Sequence, residues 1–520
     1  MALIAEQTKR LINLHGWLAV SLSILLYTVM LTGTVVVFSH EIGHWAEGKT
    51  GEAGPLSKPL NRHFQRLAAQ VPVELQEDII VGEGPNGTLR LFFGSSQVRI
   101  EAGRGIFGRQ FLVNPSSGHV VKAQAGLLED LGTGLDERAL EDFLVDLHVR
   151  LHVPGRWGLY ITGTLGVVML ILAITGVLIH RNIFRDFFVT ERPGDRVVSI
   201  RDRHNLAGVW SLPFAILLSF TGAFLSFAVS LGLPILAMVA FGGDQEAALE
   251  AVIGVPVIEE PQPANLANLD TIVAEAEKIA KAPITVINIH RGGRADAIVE
   301  TFHAQAPGAL RGTSLEFKGP SGAFLGHTHL VGTQASVGST LAELTAPLHF
   351  GDFAGKTSRL VWAALGAAMT FTIVSGMQLW MRRRHDDPFW NCAGRVFSIS
   401  TWVVPLAMLG AVYGYFLTRL TSDPSLWTAR AFLLVLCASL LVAVWWWAAP
   451  VKEQNKRYGR ILAVGVLLLP ILRIQTGGLS IGEALVTSSI DVLFIDALCV
   501  LVGAAVWTAI RSKTGQLSVT

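Results

Sequence analysis

Four long apolar segments of this chain each contain a Ser/Thr-Gly pair, and histidines lie at the ends of the same segments. The pairs are Thr32-Gly33, Thr175-Gly176, Thr221-Gly222 and Ser375-Gly376. A helix of about 20 apolar residues spans a bilayer, and a glycine on such a helix lets a neighbouring backbone or a flat macrocycle come close. Histidine supplies the imidazole that binds haem iron axially. The combination predicts haem held between membrane helices.

The histidine spacing divides the four segments into two kinds. His15 lies 17 residues before Thr32, and His204 lies 17 residues before Thr221, so the first and third segments share one layout. In the second and fourth, a Leu-His dipeptide comes just before the span and the Ser/Thr-Gly pair lies near its far end. We therefore interpret the chain as a duplication of one unit, which consists of a helix, a polar module and a second helix.

Depth along the predicted helices sorts the histidines into two layers. The inner layer comprises His15, His180 and His204, and the outer layer comprises His44, His148, His152 and His349. Seventeen residues at about 1.5 Å each separate the layers by about 25 Å. One haem cannot reach both layers, so two b-type haems are predicted.

The glycines follow the same two depths. Gly33 and Gly222 lie at outer depth, whereas Gly176 and Gly376 lie at inner depth. Each predicted haem would therefore meet two helices that offer a histidine and two that offer a glycine. Glycines of this kind also serve ordinary helix packing, so the prediction depends on the histidines.

The duplication predicts which histidines act as axial ligands. His15 pairs with His204 for the inner haem, and His148 pairs with His349 for the outer haem. Each pair joins two residues at matching positions of the repeat. A single histidine at a helix end is usually an interfacial or capping side chain, and the repeat is what favours the ligand role.

Three other histidines compete for these roles. His180 follows Gly176 by four residues and so lies on the same helix face in the inner layer. Its counterpart in the repeat is Trp380, which cannot bind iron. His152 and His44 are the alternatives in the outer layer.

Eight spans are predicted from runs of apolar residues. They cover residues 16–39, 157–180, 206–227, 360–381, 397–417, 429–449, 461–474 and 492–510. The first is too long for a signal peptide and lacks a cleavage site, so it is interpreted as an anchor. The seventh is short and contains Pro470 and Arg473, which makes a re-entrant helix the alternative.

Basic residues in the short loops predict the orientation. Arginine and lysine concentrate in the loops 181–203, 382–395 and 452–460, which the positive-inside rule places in the cytoplasm. Both termini are then cytoplasmic. The polar modules, roughly 45–147 and 243–348, then lie on the outer side of the membrane.

Composition and cysteine usage exclude several classes of protein. Hydrophobic residues make up 51% of the 520 residues, charged residues only 16%, and the net charge is +1. Nothing therefore indicates a nucleic-acid partner. The three cysteines are Cys392, Cys437 and Cys499, and no C-x-x-C or C-x-x-C-H occurs. A covalent c-type haem, a thioredoxin-like site and a disulfide framework are excluded.

Each polar stretch is predicted to form a small α+β module. A helical stretch at 61–70 precedes strand-like runs in the first, and a helix at 270–281 precedes strands at 284–289 and 297–301 in the second. The predicted division of the chain is 1–44 first helix, 45–147 first module, 148–242 second and third helices, 243–348 second module, 349–385 fourth helix and 386–520 C-terminal four-helix extension.

At these residues the chain resembles a known family. The turn V-N-P-x-x-G-x-V at 113–120 is similar to that of PepSY domains. The repeated helix–module–helix unit, with H-x-W in the first span and L-H before the second, resembles the PepSY-associated transmembrane family over about 10–385. That family includes bacterial inner-membrane ferrisiderophore reductases. The resemblance implies two b-type haems that pass electrons outward to ferric siderophores.

Two motifs favour other chemistry. Residues 40–44 match H-E-x-x-H, which on a helix can bind zinc with the glutamate as general base. The motif ends the first span, and no third ligand follows at a characteristic spacing, so a zinc peptidase is disfavoured. Residues 103–108 match G-x-G-x-x-G, but a strand-like run follows them instead of a helix, which indicates a turn.

The sequence therefore predicts a haem-dependent membrane oxidoreductase. Quinol or a cytoplasmic reductase would donate electrons, and a ferric siderophore or another small periplasmic oxidant would accept them. His327 and His329 could approach the acceptor, although surface positions are the simpler interpretation. Arg473, Asp491 and Asp496 are ionisable groups near the membrane and so either functional candidates or an ion pair. The alternative function is a non-redox membrane regulator whose PepSY modules bind or restrain an extracytoplasmic enzyme.

Overall fold

The protein divides into two compact units. The computed structural model describes residues 5–47, 56, 60–84, 87–95, 106–131, 139–180, 191–192, 196–253, 260–306, 308–329, 336–420 and 423–511. The membrane unit comprises Met1–Gly48, Ala139–Pro234 and Leu348–Thr520. The sheet unit comprises Lys49–Arg138 and Ile235–Pro347. Each unit is described separately.

Helices make up most of the described chain, and the strands lie in the sheet unit. In chain order the elements are α1 Ala5–Ser21, α2 Ser23–Val36, α3 Ser39–Glu47, α4 Leu60–Ala68, a 3-10 turn Val73–Leu75, β1 Asp78–Glu83, β2 Leu89–Ser95, β3 Phe107–Val113, β4 Val120–Leu127, α5 Leu128–Leu131, α6 Ala139–Arg150, α7 Trp157–Ile179, α8 Arg196–Phe227, a π turn Ala228–Gly232, α9 Leu233–Ala240, α10 Gln245–Ile253, α11 Leu269–Ala280, β5 Ile284–His290, β6 Ile298–His303, β7 Ser314–Lys318, β8 Phe324–His327, α12 Val337–Phe350, α13 Gly355–Arg382, α14 Pro388–Thr418, α15 Pro424–Trp445, α16 Val451–Gln475, α17 Ile481–Val486 and α18 Ile490–Arg511.

Seven of the described helices are long and apolar enough to cross a membrane. They are α7, α8, α13, α14, α15, α16 and α18. Helix α16 contains the seventh predicted span and runs for 25 residues with Pro470 inside it, so its length suffices for a full crossing. Large apolar side chains face outward, among them Leu441 at 70% exposure and Val444 at 69%. Such a surface requires an apolar solvent.

The first predicted span is not one helix. Helices α1 and α2 are long and apolar enough to cross a membrane only when they are taken together. The chain bends by 70° between them, at Leu22. Leu22 leaves helical geometry at φ −113° and ψ 10°, and the Ser23 hydroxyl donates to the Val20 carbonyl at 3.0 Å. Serine side chains that compete for backbone groups are a common cause of kinks. The span predicted over 16–39 is therefore a bent pair of helices that qualifies as a crossing only when both are taken together.

A buried ion pair joins the C-terminal helices. Arg473 is fully buried, and its Nη2 donates to Asp496 Oδ2 at 2.7 Å. Trp45 Nε1 donates to the other carboxylate oxygen at 2.7 Å, and Arg473 Nη1 donates to the Leu479 carbonyl at 2.6 Å. Because both charges are hydrogen-bonded, the pair meets the requirement for burying ions. The sequence left Arg473, Asp491 and Asp496 as either functional candidates or an ion pair. Arg473 and Asp496 form the ion pair, and Asp491 is not part of it.

The two polar stretches form one sheet instead of two separate modules. Eight strands among the described residues are antiparallel in the order β4-β3-β2-β1-β5-β6-β7-β8. The join is β1 with β5, whose register pairs Asp78 with His290 and Gly82 with Val286. Helices α4 and α11 supply Phe64, Leu67 and Ile272 to one apolar core with the strands. The prediction of α+β elements holds, but their separation does not.

The glycine motif at 103–108 lies partly outside the described residues. Gly103 and Gly105 are among the residues that are not described. Gly108 lies in β3 and pairs with Gly94 of β2. It therefore belongs to a strand and does not begin a helix, as a dinucleotide site would require.

A charged cluster holds the join between the two halves of the sheet. His290 Nδ1 lies 3.6 Å from Asp78 Oδ1, and His290 Nε2 lies 3.8 Å from Glu300 Oε2. The nearby carboxylates of Asp78 and then of Glu300 raise the pKa of His290 to about 9. The imidazole is therefore charged at neutral pH and bridges β5 to β1 and β6.

We expect His290→Gln to weaken the β1–β5 join in a pH-dependent way. A raised pKa in the folded state stabilises it fully below pH 6.5, and the stabilisation is lost as pH rises through about 9. The difference at pH 6 should be below about 1 kcal/mol, because the imidazole is half exposed and screened by solvent. The measurement is amide hydrogen exchange of β1 and β5 in both proteins at each pH.

The exposed His119 of the same unit provides the control, since His119→Gln should leave these exchange rates unchanged. A difference between wild type and His290→Gln that stays constant from pH 6 to pH 10 would contradict the charged bridge.

Candidate functional site

Four half-buried histidines each contact a Ser/Thr-Gly pair on a different helix. We call His15 and His204 the first pair, and His148 and His349 the second pair. In the second pair, His148 of α6 lies against Thr32-Gly33 of α2. His349 of α12 lies against Thr221-Gly222 of α8. These contacts join helices that are far apart in sequence. The contact is one histidine to one Ser/Thr-Gly pair.

The first pair, His15 and His204, makes the same contact with the remaining two Ser/Thr-Gly pairs. His15 of α1 lies against Thr175-Gly176 of α7, with its Nδ1 2.9 Å from Thr175 Oγ1. His204 of α8 lies against Ser375-Gly376 of α13, with its Nδ1 3.3 Å from Ser375 Oγ. Because α8 is continuous from His204 to Gly222, the two pairs lie at opposite ends of it, about 25 Å apart.

The glycines make room for the imidazoles themselves. A Cβ atom at Gly33, Gly222 or Gly376 would lie 2.9, 3.1 and 3.0 Å from the Cε1 atom of the facing histidine. These distances are too short for an unstrained contact. At Gly176 the same distance is 3.7 Å, which is ordinary contact. The expectation that these glycines line a macrocycle therefore needs refinement, since what three of them admit is the side chain of a candidate ligand.

The hydroxyls and carbonyls fix the tautomer of each histidine. Thr221 Oγ1 donates its hydrogen to the Leu217 carbonyl at 2.8 Å, so it can only accept from His349 Nδ1 at 2.9 Å. Thr175 does the same for His15, since Thr175 Oγ1 donates to a carbonyl of its own helix at 2.7 Å. A neutral imidazole that donates through Nδ1 carries its lone pair on Nε2. That nitrogen is then available to bind a metal.

Backbone carbonyls do the same for the other member of each pair. His148 Nδ1 lies 3.1 Å from the Val29 carbonyl, and His204 Nδ1 lies 3.0 Å from the Thr372 carbonyl. A carbonyl can only accept, so both histidines donate through Nδ1 as well. Metal-binding histidines almost always donate the second ring nitrogen to such a group.

The second pair has the spacing of two ligands on one metal. The ring centroids of His148 and His349 lie 6.4 Å apart with 28° between the planes. A metal–imidazole bond is about 2 Å long and a ring nitrogen lies about 1.1 Å from the centroid, so two imidazoles that held one metal between them would have their centroids about 6.2 Å apart. Burial lowers the pKa of His148 to about 4 and that of His349 to about 3, so both imidazoles stay neutral. The residues present therefore fit an axially ligated haem.

The first pair lines a large cavity. Its volume is about 1060 Å³, which is at the upper end of the range for small-molecule and cofactor sites. The lining includes His15, His204, His180, Gly176, Gly376, Trp380, Arg192, Arg201, Arg383 and Arg384. Arginine recognises carboxylates through paired hydrogen bonds. A flat macrocycle that carries carboxylates suits this combination of imidazole, apolar wall and guanidinium groups.

The structure places the competing histidines differently from one another. His180, at the end of α7, lines the same cavity as the first pair and so remains an alternative ligand. His152 forms an ion pair with Asp146 at 2.9 Å, and His44 Nδ1 lies 2.7 Å from Asp491 Oδ2. Both are therefore engaged by carboxylates, in contrast to the hydroxyl and carbonyl partners of the second pair.

The two loop histidines belong to the sheet unit. His327 ends β8, and His329 Nδ1 lies 3.2 Å from Glu343 Oε1.

Sequence reasoning missed the roles of the hydroxyls and of the arginines around the cavity. The hydroxyl signal was present, since a serine or threonine precedes each of the four glycines.

Residues 12–383 match the protein family described as the PepSY-associated TM region. An uncharacterized protein of Pseudomonas aeruginosa is 27% identical over 329 residues, which is 58% of this chain and 79% of that relative. The family match includes both histidine pairs and their Ser/Thr-Gly partners. Together with the apolar helices, it makes the chain a multi-pass membrane protein whose helices contact lipid. The chain belongs to the family of the PepSY-associated TM region.

Proposed function

We propose that this protein is a di-haem transmembrane electron carrier and reductase. The observation that carries the proposal is the second pair, in which two neutral imidazoles 6.4 Å apart donate through Nδ1 to other helices. That arrangement is what bis-histidine ligation of one iron requires. Bound haem would supply one-electron chemistry that no amino-acid side chain provides.

Two b-type haems are proposed because the contact occurs twice. His15 and His204 repeat the imidazole–hydroxyl contact of the second pair, at the opposite end of α8. The symmetric strand order of the sheet, four strands from each polar stretch, supports an internal duplication. The chain's own part is to hold each imidazole, to exclude water from it and to offer guanidinium groups to carboxylates.

The proposed direction is from the cytoplasm to the periplasm of a bacterial inner membrane. Arg192, Arg201, Arg383 and Arg384 line the cavity of the first pair, and basic residues favour the cytoplasmic side. The second pair then lies at the periplasmic end. The sheet unit lies in the periplasm, and both termini lie in the cytoplasm. Quinol or a cytoplasmic reductase is the proposed electron donor.

The proposed acceptor is a ferric siderophore, which would release ferrous iron on reduction. Membership of the family supports this choice, and another small periplasmic oxidant is the alternative. The non-redox regulator remains the second function class. The imidazole tautomers favour the haem carrier, because a regulator does not require four half-buried imidazoles that all direct Nε2 away from their hydrogen-bond partners.

Purified protein is expected to contain two non-covalent haems per chain. Both should be low-spin, with a Soret band and a reduced α-band, because each has two imidazole ligands. Acid acetone should extract all of the haem, since the sequence has no C-x-x-C-H for covalent attachment. The measurement is a pyridine haemochrome assay against protein concentration. One haem or fewer in fully loaded protein would contradict the two sites, and none at all would favour the regulator.

The two haems are expected to be separable by mutation. His349→Ala should empty the second site or make its haem high-spin, and should leave the first haem low-spin and reducible, because about 25 Å of helix separates them. His204→Ala should have the reverse effect. Electron paramagnetic resonance and haem content distinguish these outcomes.

His327→Ala, on the last strand of the sheet unit, is the matched control and should retain both haems. Loss of both haems from a monodisperse His349→Ala protein would show that the two pairs do not form independent sites.

Reduced protein is expected to transfer electrons to a ferric siderophore. Haem reduced by dithionite under anaerobic conditions should be reoxidised when the ferric complex is added, and a chelator should trap ferrous iron in equal amount. The gallium complex of the same siderophore is the control, because Ga³⁺ has a similar size and charge and cannot be reduced. Reoxidation no faster with iron than with gallium, across several siderophores, would remove the iron claim and leave a haem carrier.

A further inference from the structure

Three possible metal ligands meet at one end of the membrane unit, apart from both histidine pairs. His40 and His44 are four residues apart on α3, so they share a helix face, and their ring centroids lie 4.1 Å apart. Asp491 comes from the first turn of α18, 447 residues away in sequence from His44. One ligand atom from each of the three side chains lies within 4.8 Å of the other two.

We propose that His40, His44 and Asp491 bind a divalent transition-metal ion. Two imidazoles and one carboxylate are a common set for Zn²⁺ and Fe²⁺, which leave the remaining positions to water. Ligand atoms about 2 Å from a tetrahedral metal lie about 3.3 Å apart, so atoms that all lie within 4.8 Å of one another need only small shifts to bind one ion. Side-chain rotation can supply that movement, because His40 is exposed. The proposal does not depend on haem.

Lys356 orients the carboxylate of this site. Its Nζ lies 2.6 Å from Asp491 Oδ1, while Asp491 Oδ2 lies 2.7 Å from His44 Nδ1. One carboxylate oxygen is thus held by the lysine and the other is directed at the histidines. Outer groups of this kind fix the orientation of a metal ligand. The positive charge also competes with the metal, so we expect micromolar instead of nanomolar affinity.

The elements that carry the ligands are held firmly together. Trp45, next to His44, is buried and donates through Nε1 to Asp496 of α18 at 2.7 Å. Asp496 is in turn bound by the buried Arg473. Helices α3 and α18 therefore cannot slide past each other without breaking this network. The ligands come from a rigid support, as a metal site requires.

The H-E-x-x-H motif binds metal here without the chemistry of a peptidase. In a zinc peptidase the motif's glutamate activates the metal-bound water. Here Glu41 is only 3% exposed and forms an ion pair with Arg359 Nη1 at 2.5 Å. Oε1 of its carboxylate is thus bound by Arg359. No third ligand follows the motif at a characteristic sequence spacing, and the candidate third ligand is Asp491 of α18, 447 residues beyond His44.

Zinc binding to the purified full-length protein tests the assignment. Protein treated with EDTA and then dialysed against Zn²⁺ should retain one zinc per chain by mass spectrometry of the metals, with a micromolar Kd by isothermal titration. His40→Ala and Asp491→Asn should each weaken binding at least tenfold, the usual range for loss of one ligand or its support. Zinc X-ray absorption of the wild type should show imidazole scattering.

Two variants serve as controls. His385→Ala removes an exposed histidine that pairs with Asp386 at 3.2 Å and lies in no such group of three, so zinc affinity should not change. Glu41→Gln should also retain zinc, since Glu41 is directed at Arg359. Circular dichroism and a monodisperse elution profile show whether each variant is folded.

The outcomes separate a metal site from a plain ion pair. Wild type that retains no stoichiometric zinc, or that binds it equally well as His40→Ala, would overturn the proposal. Equal loss in Glu41→Gln would identify a different ligand set and overturn it too. If Asp491→Asn does not fold because Lys356 loses its partner, His40→Ala decides, because it removes only an exposed side chain.

Discussion

The hydrogen bond from a half-buried imidazole to a group on another helix is the constraint on which the membrane unit depends. Water is absent between apolar helices, so every buried N–H must find a protein acceptor. Thr221 and Thr175 provide acceptors because their own hydrogens are already bound within the helix. The glycine that follows each hydroxyl lets the ring come close enough for the bond. Helix spacing, tautomer and ligand geometry all follow from this contact.

The C-terminal extension supports that arrangement, although it lies beyond the family match. Apolar residues of α14 and α18, such as Tyr415, Phe416 and Val492, form one core with α3 and α6. Leu147 of the same core is the neighbour of His148. The extension therefore packs directly behind the helix that carries a proposed ligand. Replacing or deleting it would change the position of α6 even though no residue of α14 or α18 belongs to either histidine pair.

What could be predicted from sequence was the local pattern, and what could not was the distant partner. His148 and His349 stood out because each precedes a span at a matching position. The bend at Leu22 did not, since apolar residues continue through it and only short serine side chains mark it. Strand propensity located β5 and indicated strands in the first polar stretch, yet an alternating pattern does not say which edges pair. Asp491 near His44 is likewise a contact across most of the chain, which periodicity cannot reveal.

The join of β1 to β5 has a consequence for how this protein must be made. β1 is the inner edge of the first half of the sheet, and β5 is the inner edge of the second half. Some 200 residues, which include two membrane-spanning helices, separate them along the chain. Until β5 is synthesised, the first half would end in an open strand, which is a template for pairing with other chains. During synthesis, β1 is therefore an unpaired edge strand until β5 has been made. A chaperone that shields strand edges would act on that stage and not on the finished sheet.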